Sequence, residues 1–250
     1  MPKEPSDYGP LSMLETLYKI PSRILAHRKT DTLTDILSSN QHGFVPGRGI
    51  QEPILMATHV LQDAERTGNS LQFISFDLEK AFDKTGNTVI KQALEAFGFP
   101  LVLIEAIQRL ALQGEGFVEV NGVWGDLFAI LTGTGQGDPL SSSNFVIAGQ
   151  ALNLALQKVI NTLMYKTLNG ERAGIGTNLF ADDNLAAMNM TTDNDFRQIM
   201  LTYDRFEMVS GLNVNLAKSQ ILCINTDPNL IIHLEQMGVK IVQKMKYLGI

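Results

Sequence analysis

Residues 175–188 read Ile-Gly-Thr-Asn-Leu-Phe-Ala-Asp-Asp-Asn-Leu-Ala-Ala-Met, two apolar segments joined by a pair of aspartates. Each apolar segment has the length of a short strand, so the pattern predicts a tight turn at Asp182-Asp183. Upstream, residues 71–77 alternate apolar and polar side chains and predict a strand that ends on Asp77. Strand ends and hairpin turns are places where a rigid scaffold presents polar groups to a cleft. We therefore expect these three carboxylates to converge.

Three converging carboxylates repel one another unless divalent cations neutralise them. Mg²⁺ suits such a site because it prefers hard oxygen ligands and shares its coordination sphere with substrate phosphates. Spacing alone leaves a second interpretation open. In it, Asp77 caps a following helix and Asp182-Asp183 form a solvated turn, because about one adjacent aspartate pair is expected by chance in a chain of this composition.

The composition sets limits on the class of protein. The chain has 250 residues, of which 44% are hydrophobic, enough for a sizeable core. Its formal charge of −6 argues against a free-standing nucleic-acid binder, since phosphate contacts need basic surface. No apolar run approaches the roughly 18–20 residues of a membrane span, so no membrane partner is expected. The single cysteine, Cys223, excludes an internal disulfide and favours an intracellular protein.

Periodicity and turn residues predict helices interleaved with short strands. The helices are expected near residues 11–28, 30–37, 53–66, 79–97, 101–113, 139–164, 193–209 and 228–237. Further strands are expected near residues 116–120, 124–131, 213–215, 220–224 and 245–250, with Asn121-Gly122 as a hairpin turn. Strands and helices in this order predict one α+β domain, a mainly antiparallel sheet backed by helices.

Ordered motifs connect the three aspartates to a known family. Residues 74–83, 133–141, 179–183, 210–219 and 246–250 resemble, in that order, successive motifs of reverse transcriptases. The first reads Ile-Ser-Phe-Asp-Leu-Glu-Lys-Ala-Phe-Asp and the second Gly-Thr-Gly-Gln-Gly-Asp-Pro-Leu-Ser. Tyr18-Lys19-Ile20 and the loop at 43–48 are similar to the finger motifs of non-LTR (LINE-type) retrotransposon enzymes. The resemblance covers nearly the whole chain.

The resemblance implies a right-hand polymerase with fingers near residues 1–70 and 88–132 and a palm near 71–87 and 133–250. It implies an RNA-directed DNA polymerase, a nucleotidyltransferase that extends a DNA primer on an RNA template with dNTPs. Two Mg²⁺ ions, with Mn²⁺ as the other option, would activate the 3′-hydroxyl and stabilise the leaving pyrophosphate. Because the chain stops at the motif that resembles the primer grip, we expect no thumb and no endonuclease within it.

Roles for the acidic residues follow from the same resemblance. Asp77 and Asp182 would ligate both ions, Asp183 would assist, and the main-chain carbonyl of Leu78 would be a further ligand. Phe82 falls where the family places a steric gate against a ribose 2′-hydroxyl. The alternative for Phe82 is an ordinary core phenylalanine.

The remaining candidates carry their own alternatives. Gln136 and Gly137 would lie against the incoming nucleotide, or merely belong to a glycine-rich helix-entry loop. Lys218 would assist the pyrophosphate, or is a surface lysine. Arg48 would contact the template or the fingers backbone, or forms a loop salt bridge. Tyr247, Leu248 and Gly249 would form the primer grip.

One departure from the family pattern bears on activity. Gly9 stands where the first finger motif usually carries an arginine for the triphosphate, and a glycine supplies no bidentate contact. Lys3 is a candidate for compensation. A catalytically impaired retrotransposon remnant with a polymerase-like fold is therefore an alternative function. An RNA-directed RNA polymerase is a further one, which Phe82 and the Phe180-Ala181 prefix disfavour.

Overall fold

The computed structural model describes residues 12–111, 114–167, 171–173 and 176–249. The helices are α1 Thr16–Ile36, α2 Gln51–Thr67, α3 Ala81–Lys84, α4 Asn87–Ala96, α5 Leu101–Ala111, α6 Ser141–Ile160, α7 Asp193–Ser210 and α8 Pro228–Gln236. The strands are β1 Leu71–Phe76, β2 Gly114–Gly116, β3 Glu119–Val120, β4 Val123–Trp124, β5 Phe128–Ile130, β6 Tyr165–Lys166, β7 Arg172–Ala173, β8 Gly176–Phe180, β9 Asp183–Met188, β10 Gln220–Ile224 and β11 Lys240–Val242. Among these described helices, none combines the length and the hydropathy required to cross a bilayer.

A five-stranded sheet in the order β11-β10-β1-β9-β8 organises the chain. Its neighbours are antiparallel except β10 and β11, which run parallel. The sheet is therefore mainly antiparallel, as the sequence pattern predicts. The strands β1 and β9 lie side by side at its middle, with Phe76 opposite Asn184.

Successive side chains of a strand point to opposite sides of the sheet, and in this sheet both sides are covered by helices. From β1, Ile74 and Phe76 pack on one face with α6, α7 and α8. Leu71 and Phe73 pack on the other face, where α2 contributes Ala64. The sheet is thus fixed from both sides.

A second apolar core lies among the helices, and we call it the helical cluster. It joins α1, α4, α5 and the first half of α6 through residues that are almost completely buried: Leu33, Leu37, Ile90, Leu94, Ile104, Ile107, Phe145 and Ile147. The second half of α6 continues into the core beneath the sheet, through Leu152, Leu156 and Ile160. One helix therefore belongs to both cores.

The hairpin predicted around Asn121-Gly122 is confirmed. β3 and β4 pair across that turn, and β2 pairs with β5 further along the same arm. Asn121 and Gly122 both have positive φ, 53° and 79°, the backbone that makes asparagine-glycine a favourable hairpin turn. Phe117 stacks on Trp124 with ring centroids 4.2 Å apart, which fixes the two sides of the arm together.

Three of the predicted helices have different bounds. Residues 11–28 and 30–37 are not two helices, because within the described residues α1 runs unbroken from Thr16 to Ile36. Lys29, at the expected break, is buried and hydrogen-bonded to Asn144 of α6, which keeps the helix against its neighbour. Conversely, the helix expected over 79–97 is divided at Gly86, whose N–H donates to the Ser210 carbonyl.

Two predicted strands are wrong. Residues 213–215 form only an isolated bridge, between Val214 and Leu78. The described part of 245–250 is not a strand, because Leu248 and Gly249 both have positive φ, 50° and 93°, which extended backbone excludes. The last strand is instead β11, which follows the left-handed Gly238 at the end of α8.

Candidate active site

The three aspartates meet at one end of the central strands. Because Phe76 of β1 pairs with Asn184 of β9, the next position of the antiparallel register sets Asp77 opposite Asp183. Phe180 pairs with Asp183 across a two-residue turn, and Asp182 is the second residue of that turn. Local hydrophobic patterning and strand pairing thus bring together the three side chains that the sequence singled out.

The carboxylates interact electrostatically. Burial is the main cause that raises the pKa of Asp182, and the charge of Asp77 raises it further. Burial also raises the pKa of Asp183, with added contributions from Asp182 and Asp77. The side chains of Asp182 and Asp183 still reach solvent. The result is a cluster of negative charges that is partly desolvated and open to a ligand.

The donor set suits a hard divalent cation. Within the described residues, no three His, Cys, Asp or Glu side chains form a ready-made metal site. The aspartates nevertheless supply only oxygen atoms, and each of two carboxyl groups feels the repulsion of its neighbours. Mg²⁺ takes few protein ligands and completes its octahedron with water and phosphate oxygens, so these residues fit that ion.

The main chain of the first motif is fixed by the segment after α7. The Asp77 carbonyl accepts a hydrogen bond from the Asn215 N–H at 2.8 Å, and the Glu79 N–H donates to the Asn213 carbonyl at 3.0 Å. The Asp77 N–H donates to the Ser219 hydroxyl at 3.2 Å. Because alternate carbonyls of an extended chain point to opposite sides, the Leu78 carbonyl is directed away from this partner segment.

A buried polar contact behind the aspartates was missed from the sequence. The Asn184 amide donates to the Tyr203 hydroxyl of α7 at 2.7 Å, and both side chains are buried. The Tyr203 ring also packs against Phe76, with centroids 4.6 Å apart. Tyr203 therefore supports the residue before Asp77 and the residue after Asp183. A polar residue at an inward strand position is the only sequence signal for this contact.

Phe82 lies beside the glycine-rich loop of the second motif. The Thr134 N–H donates to the Phe82 carbonyl at 2.8 Å. Gly133, with φ of 93°, approaches the same turn so closely that a β-carbon there would lie 2.7 Å from the Asp83 carbonyl oxygen. The half-buried Phe82 ring stacks on Phe145 of α6, at a centroid distance of 4.4 Å. Phe82 is thus packed against the helical cluster without being completely buried.

Gln136 and Gly137 follow in the same loop, at the entrance to α6. The Gln136 carbonyl accepts a hydrogen bond from the Ser12 N–H at 3.0 Å, and Gly137 has φ of 104°. The next residue, Asp138, is buried and accepts hydrogen bonds from the hydroxyls of Tyr18 and Ser22. These bonds attach the loop to α1, a role for Asp138 that the sequence did not reveal.

Arg48 and Lys218 have contrasting surroundings. The Arg48 guanidinium donates to four main-chain carbonyls at the end of α1, those of Ser38, Gln41, Leu37 and Thr34, at 2.5–3.4 Å. It therefore caps that helix and fixes the following loop. The Lys218 side chain is exposed, three residues after Asn215, whose N–H binds the Asp77 carbonyl.

The segment expected to be the primer grip reaches the same end of the sheet. Tyr247 packs against the core that contains Phe73 and Leu185. Burial raises the pKa of its phenol, and the charge of Asp183 raises it further. Leu248 and Gly249 form the left-handed turn that follows. Gly9 and Lys3 lie outside the described residues.

Comparison with known proteins agrees with these motifs. A family model described as reverse transcriptase (RNA-dependent DNA polymerase) matches residues 1–250. The Transposon TX1 uncharacterized 149 kDa protein of Xenopus laevis is 30% identical over 160 residues, which are 64% of this chain and 12% of that protein. The Pol polyprotein from type-2 retrotransposable element R2DM of Drosophila melanogaster is 27% identical over 161 residues, 64% of this chain and 14% of that protein. The chain thus spans a small part of the length of these relatives.

Solved structures show the same fold. Apo telomerase from Candida tropicalis, truncated from its C-terminal domain, superposes with a TM-score of 0.60 at 13% identity, over 92% of this chain and 42% of that one. The RNA-dependent RNA polymerase of a human picobirnavirus gives a TM-score of 0.51 at 15% identity, over 84% and 36%. At these identities the likeness concerns the fold alone, and it confirms the expected α+β right-hand polymerase. Together with the family model, it shows that the chain belongs to the reverse transcriptase family of RNA-dependent DNA polymerases.

Proposed function

We propose that this chain is the fingers–palm core of an RNA-directed DNA polymerase that extends a DNA primer on an RNA template with dNTPs. The observation that carries the proposal is the meeting of Asp77, Asp182 and Asp183 at one end of β1 and β9. We assign residues 71–87 and 133–250 to the palm, and residues 1–70 and 88–132 to the fingers.

The chemistry assigns separate tasks to the aspartates. Two divalent cations bound there would lower the charge on the attacking 3′-hydroxyl and on the leaving pyrophosphate. Asp77 and Asp182 would hold both ions. Asp183 and the Leu78 carbonyl would complete the set of protein ligands. Mg²⁺ is the expected ion and Mn²⁺ the substitute. Burial, and to a smaller extent mutual repulsion, raises the pKa of Asp182 and Asp183, and bound cations would favour the ionised form of both carboxyl groups.

The neighbouring residues would select and orient the nucleotide. The half-buried Phe82 ring would exclude a ribose 2′-hydroxyl by bulk, and Gln136 and Gly137 would lie against the incoming nucleotide. Lys218, whose side chain is exposed, would contact the pyrophosphate. Tyr247, Leu248 and Gly249 would contact the primer. Arg48 would act through the fingers backbone, since its described hydrogen bonds go to main-chain carbonyls.

The test is primer extension on an RNA template with Mg²⁺ and either dNTPs or NTPs. Wild type should incorporate dNTPs, and Asp182→Ala should lose that activity by a factor of about 10³ or more. Asp126→Asn, which alters an exposed aspartate of the β4–β5 loop, is the matched control and should keep wild-type rates.

The outcomes separate the candidate functions. Incorporation that survives Asp182→Ala would overturn the site assignment. Incorporation of NTPs in preference to dNTPs would indicate an RNA-directed RNA polymerase. A folded wild-type protein without any incorporation would support the impaired remnant. The family match to reverse transcriptases favours neither of these two alternatives.

A further inference from the structure

A segment before α2 closes the outer edge of the sheet, next to the acidic turn. Strand β8 is the last strand in the order, and residues 40–43 lie along it. The Leu179 N–H donates to the Asn40 carbonyl at 2.9 Å, and the His42 N–H donates to the Leu179 carbonyl at 2.8 Å. Gln41 and Leu179 thereby form a parallel bridge. The Asn40 side-chain amide also donates to the Thr177 carbonyl of β8 at 2.6 Å, so main-chain and side-chain bonds together hold this segment against β8.

The Gln41 side chain adds contacts that the main-chain pairing does not require. It is 4% exposed. Its amide oxygen accepts hydrogen bonds from the Gly43 N–H at 2.9 Å and from the Ala181 N–H at 3.3 Å. Ala181 is the residue directly before Asp182. One buried acceptor therefore joins the edge segment to the turn that carries a predicted metal ligand.

The turn needs such support because its backbone is strained. Ala181 has φ of 59°, in the left-handed region that a residue with a β-carbon rarely adopts. Strained backbone of this kind persists only where the surrounding structure holds it. The Ala181 N–H points to Gln41 instead of water, so this hydrogen bond is part of what fixes the turn.

Close packing of the same segment adds a second restraint. A β-carbon at Gly43 would overlap the Ala181 main-chain nitrogen. Gly43 is thus required for the close approach of two main chains, a role that its absent side chain makes possible. The acidic turn is held by the hydrogen bond to Gln41 and by the close packing of Gly43, both at the Ala181 main-chain nitrogen.

We propose that Gln41 is a positioning residue of the active site, which fixes the direction of Asp182 by holding the Ala181 N–H. The proposal rests on the proposed polymerase function for its effect on rate. The hydrogen bond itself does not depend on that function. Without the acceptor, the edge pairing through Leu179 would persist while the turn relaxes.

The decisive variant is Gln41→Met, which keeps the length of the side chain and removes the acceptor. Gln150→Met is the matched control, because Gln150 is also buried and binds the Ser38 hydroxyl close to the same segment, without contact to the turn. Gln41→Met should lower kcat by about 10–100-fold, because small misplacement of a catalytic group has effects of that size. The KM for dNTP should change less than about twofold, and half-saturation by Mg²⁺ should need several-fold more metal. Gln150→Met should change neither kcat nor the Mg²⁺ requirement.

Amide hydrogen exchange at Ala181 provides a readout without catalysis. Exchange should be at least tenfold faster in Gln41→Met than in wild type and unchanged in Gln150→Met, with both variants folded by circular dichroism. Equal exchange in all three proteins would overturn the proposal, and so would equal kcat in the two variants. If wild type extends no primer, the proposed function fails, while exchange at Ala181 still decides whether Gln41 holds the turn.

Discussion

The ring of Phe82 lies against that of Phe145 with centroids 4.4 Å apart and planes 26° apart, so the proposed sugar gate is fixed to the first half of α6. Phe44 is a second aromatic neighbour of Phe82, nearly perpendicular to it, with ring centroids 6.3 Å apart. The ring thus packs against two other aromatic rings. A gate of this kind discriminates by shape only if it cannot turn aside, and these contacts supply the necessary rigidity.

Phe82→Ala should admit ribonucleotides. Removing the ring opens space for a 2′-hydroxyl, so the ratio of NTP to dNTP incorporation should rise by about tenfold or more, measured as kcat/KM for each nucleotide. The same change should lower the free energy of unfolding by about 2–3 kcal/mol, because the half-buried ring leaves a cavity.

Phe97→Ala is the control for this loss of packing. Phe97 packs against the same helical cluster, and its truncation should reduce stability without changing nucleotide preference. An equal change of preference in both variants would show that discrimination depends on general packing, and Phe82 would lose its assignment as the gate.

Asp183→Asn should stabilise the metal-free protein. Burial and the charges of Asp182 and Asp77 raise the pKa of Asp183, so its ionised form is unfavourable in the folded state. Removing that charge should raise Tm in a chelating buffer by about 1–3 °C, a small effect because solvent screens an exposed group. Mg²⁺ should raise the Tm of wild type more than that of the variant, which keeps Asp77 and Asp182 but lacks the assisting carboxylate.

Asp126→Asn is the control, and its Tm is measured with and without Mg²⁺ in the same way. Asp126 is an exposed aspartate of the β4–β5 loop and is not one of the proposed metal ligands. It should respond to Mg²⁺ as wild type does. Stabilisation of Asp183→Asn by Mg²⁺ to the wild-type extent would contradict the assignment of this residue to the metal site.

Gly43→Ala should disturb the acidic turn by overpacking. Its new β-carbon would overlap the Ala181 nitrogen, an atom of the main chain that cannot rotate away. The free energy of unfolding should fall by about 1–3 kcal/mol, and primer extension should fall with it. Gly149→Ala is the matched control, because open space surrounds that α6 position and alanine favours a helix. Retained activity in Gly43→Ala would show that the turn tolerates displacement.

Lys29 should make stability depend on pH. Burial lowers its pKa to about 7, although Asp138 acts in the opposite direction. In the unfolded chain a lysine keeps its proton to about pH 10.4. Between these values the unfolded state binds more protons, so the free energy of unfolding should increase as pH rises above about 7. Below about pH 7 both states carry the proton, and the full cost of burying the charge is present.

Urea unfolding at pH 7.0 and pH 8.5 measures this dependence. Lys29→Met removes the buried charge, so the increase with pH should be smaller in the variant than in wild type. Other titrating groups are common to both proteins and cancel in the comparison. The same slope in both proteins would mean that Lys29 keeps its proton throughout this range.

Sequence patterns were sufficient for the parts of the site that depend on local structure. Alternation of side chains predicted β1, two short apolar segments around the aspartate pair predicted β8 and β9, and asparagine with glycine predicted the hairpin at Asn121. The three aspartates follow from those strands, since each lies at a strand end or in a turn. Motif order supplied the polymerase fold, which periodicity alone would have left as a general α+β domain.

Contacts between distant segments were beyond such patterns. Gln41 and Ala181 are separated by 140 residues, and nothing near either residue indicates the hydrogen bond between them. The hydrogen bond between Lys29 and Asn144 likewise joins two helices far apart in the chain, at the position where a break in α1 was predicted. Each of these hydrogen bonds forms between segments that only folding brings together. The sequence around either partner therefore does not predict it.

Helix α6 has a mechanical consequence for the proposed catalytic cycle. Its first half packs in the helical cluster through Phe145 and Ile147, and its second half packs beneath the sheet through Leu152 and Leu156. A continuous helix resists bending, so these two cores form one stiff frame. We therefore expect any closing movement around a nucleotide to take place in parts of the chain that are attached by loops. During that movement the distance between Phe82 and the three aspartates should stay constant.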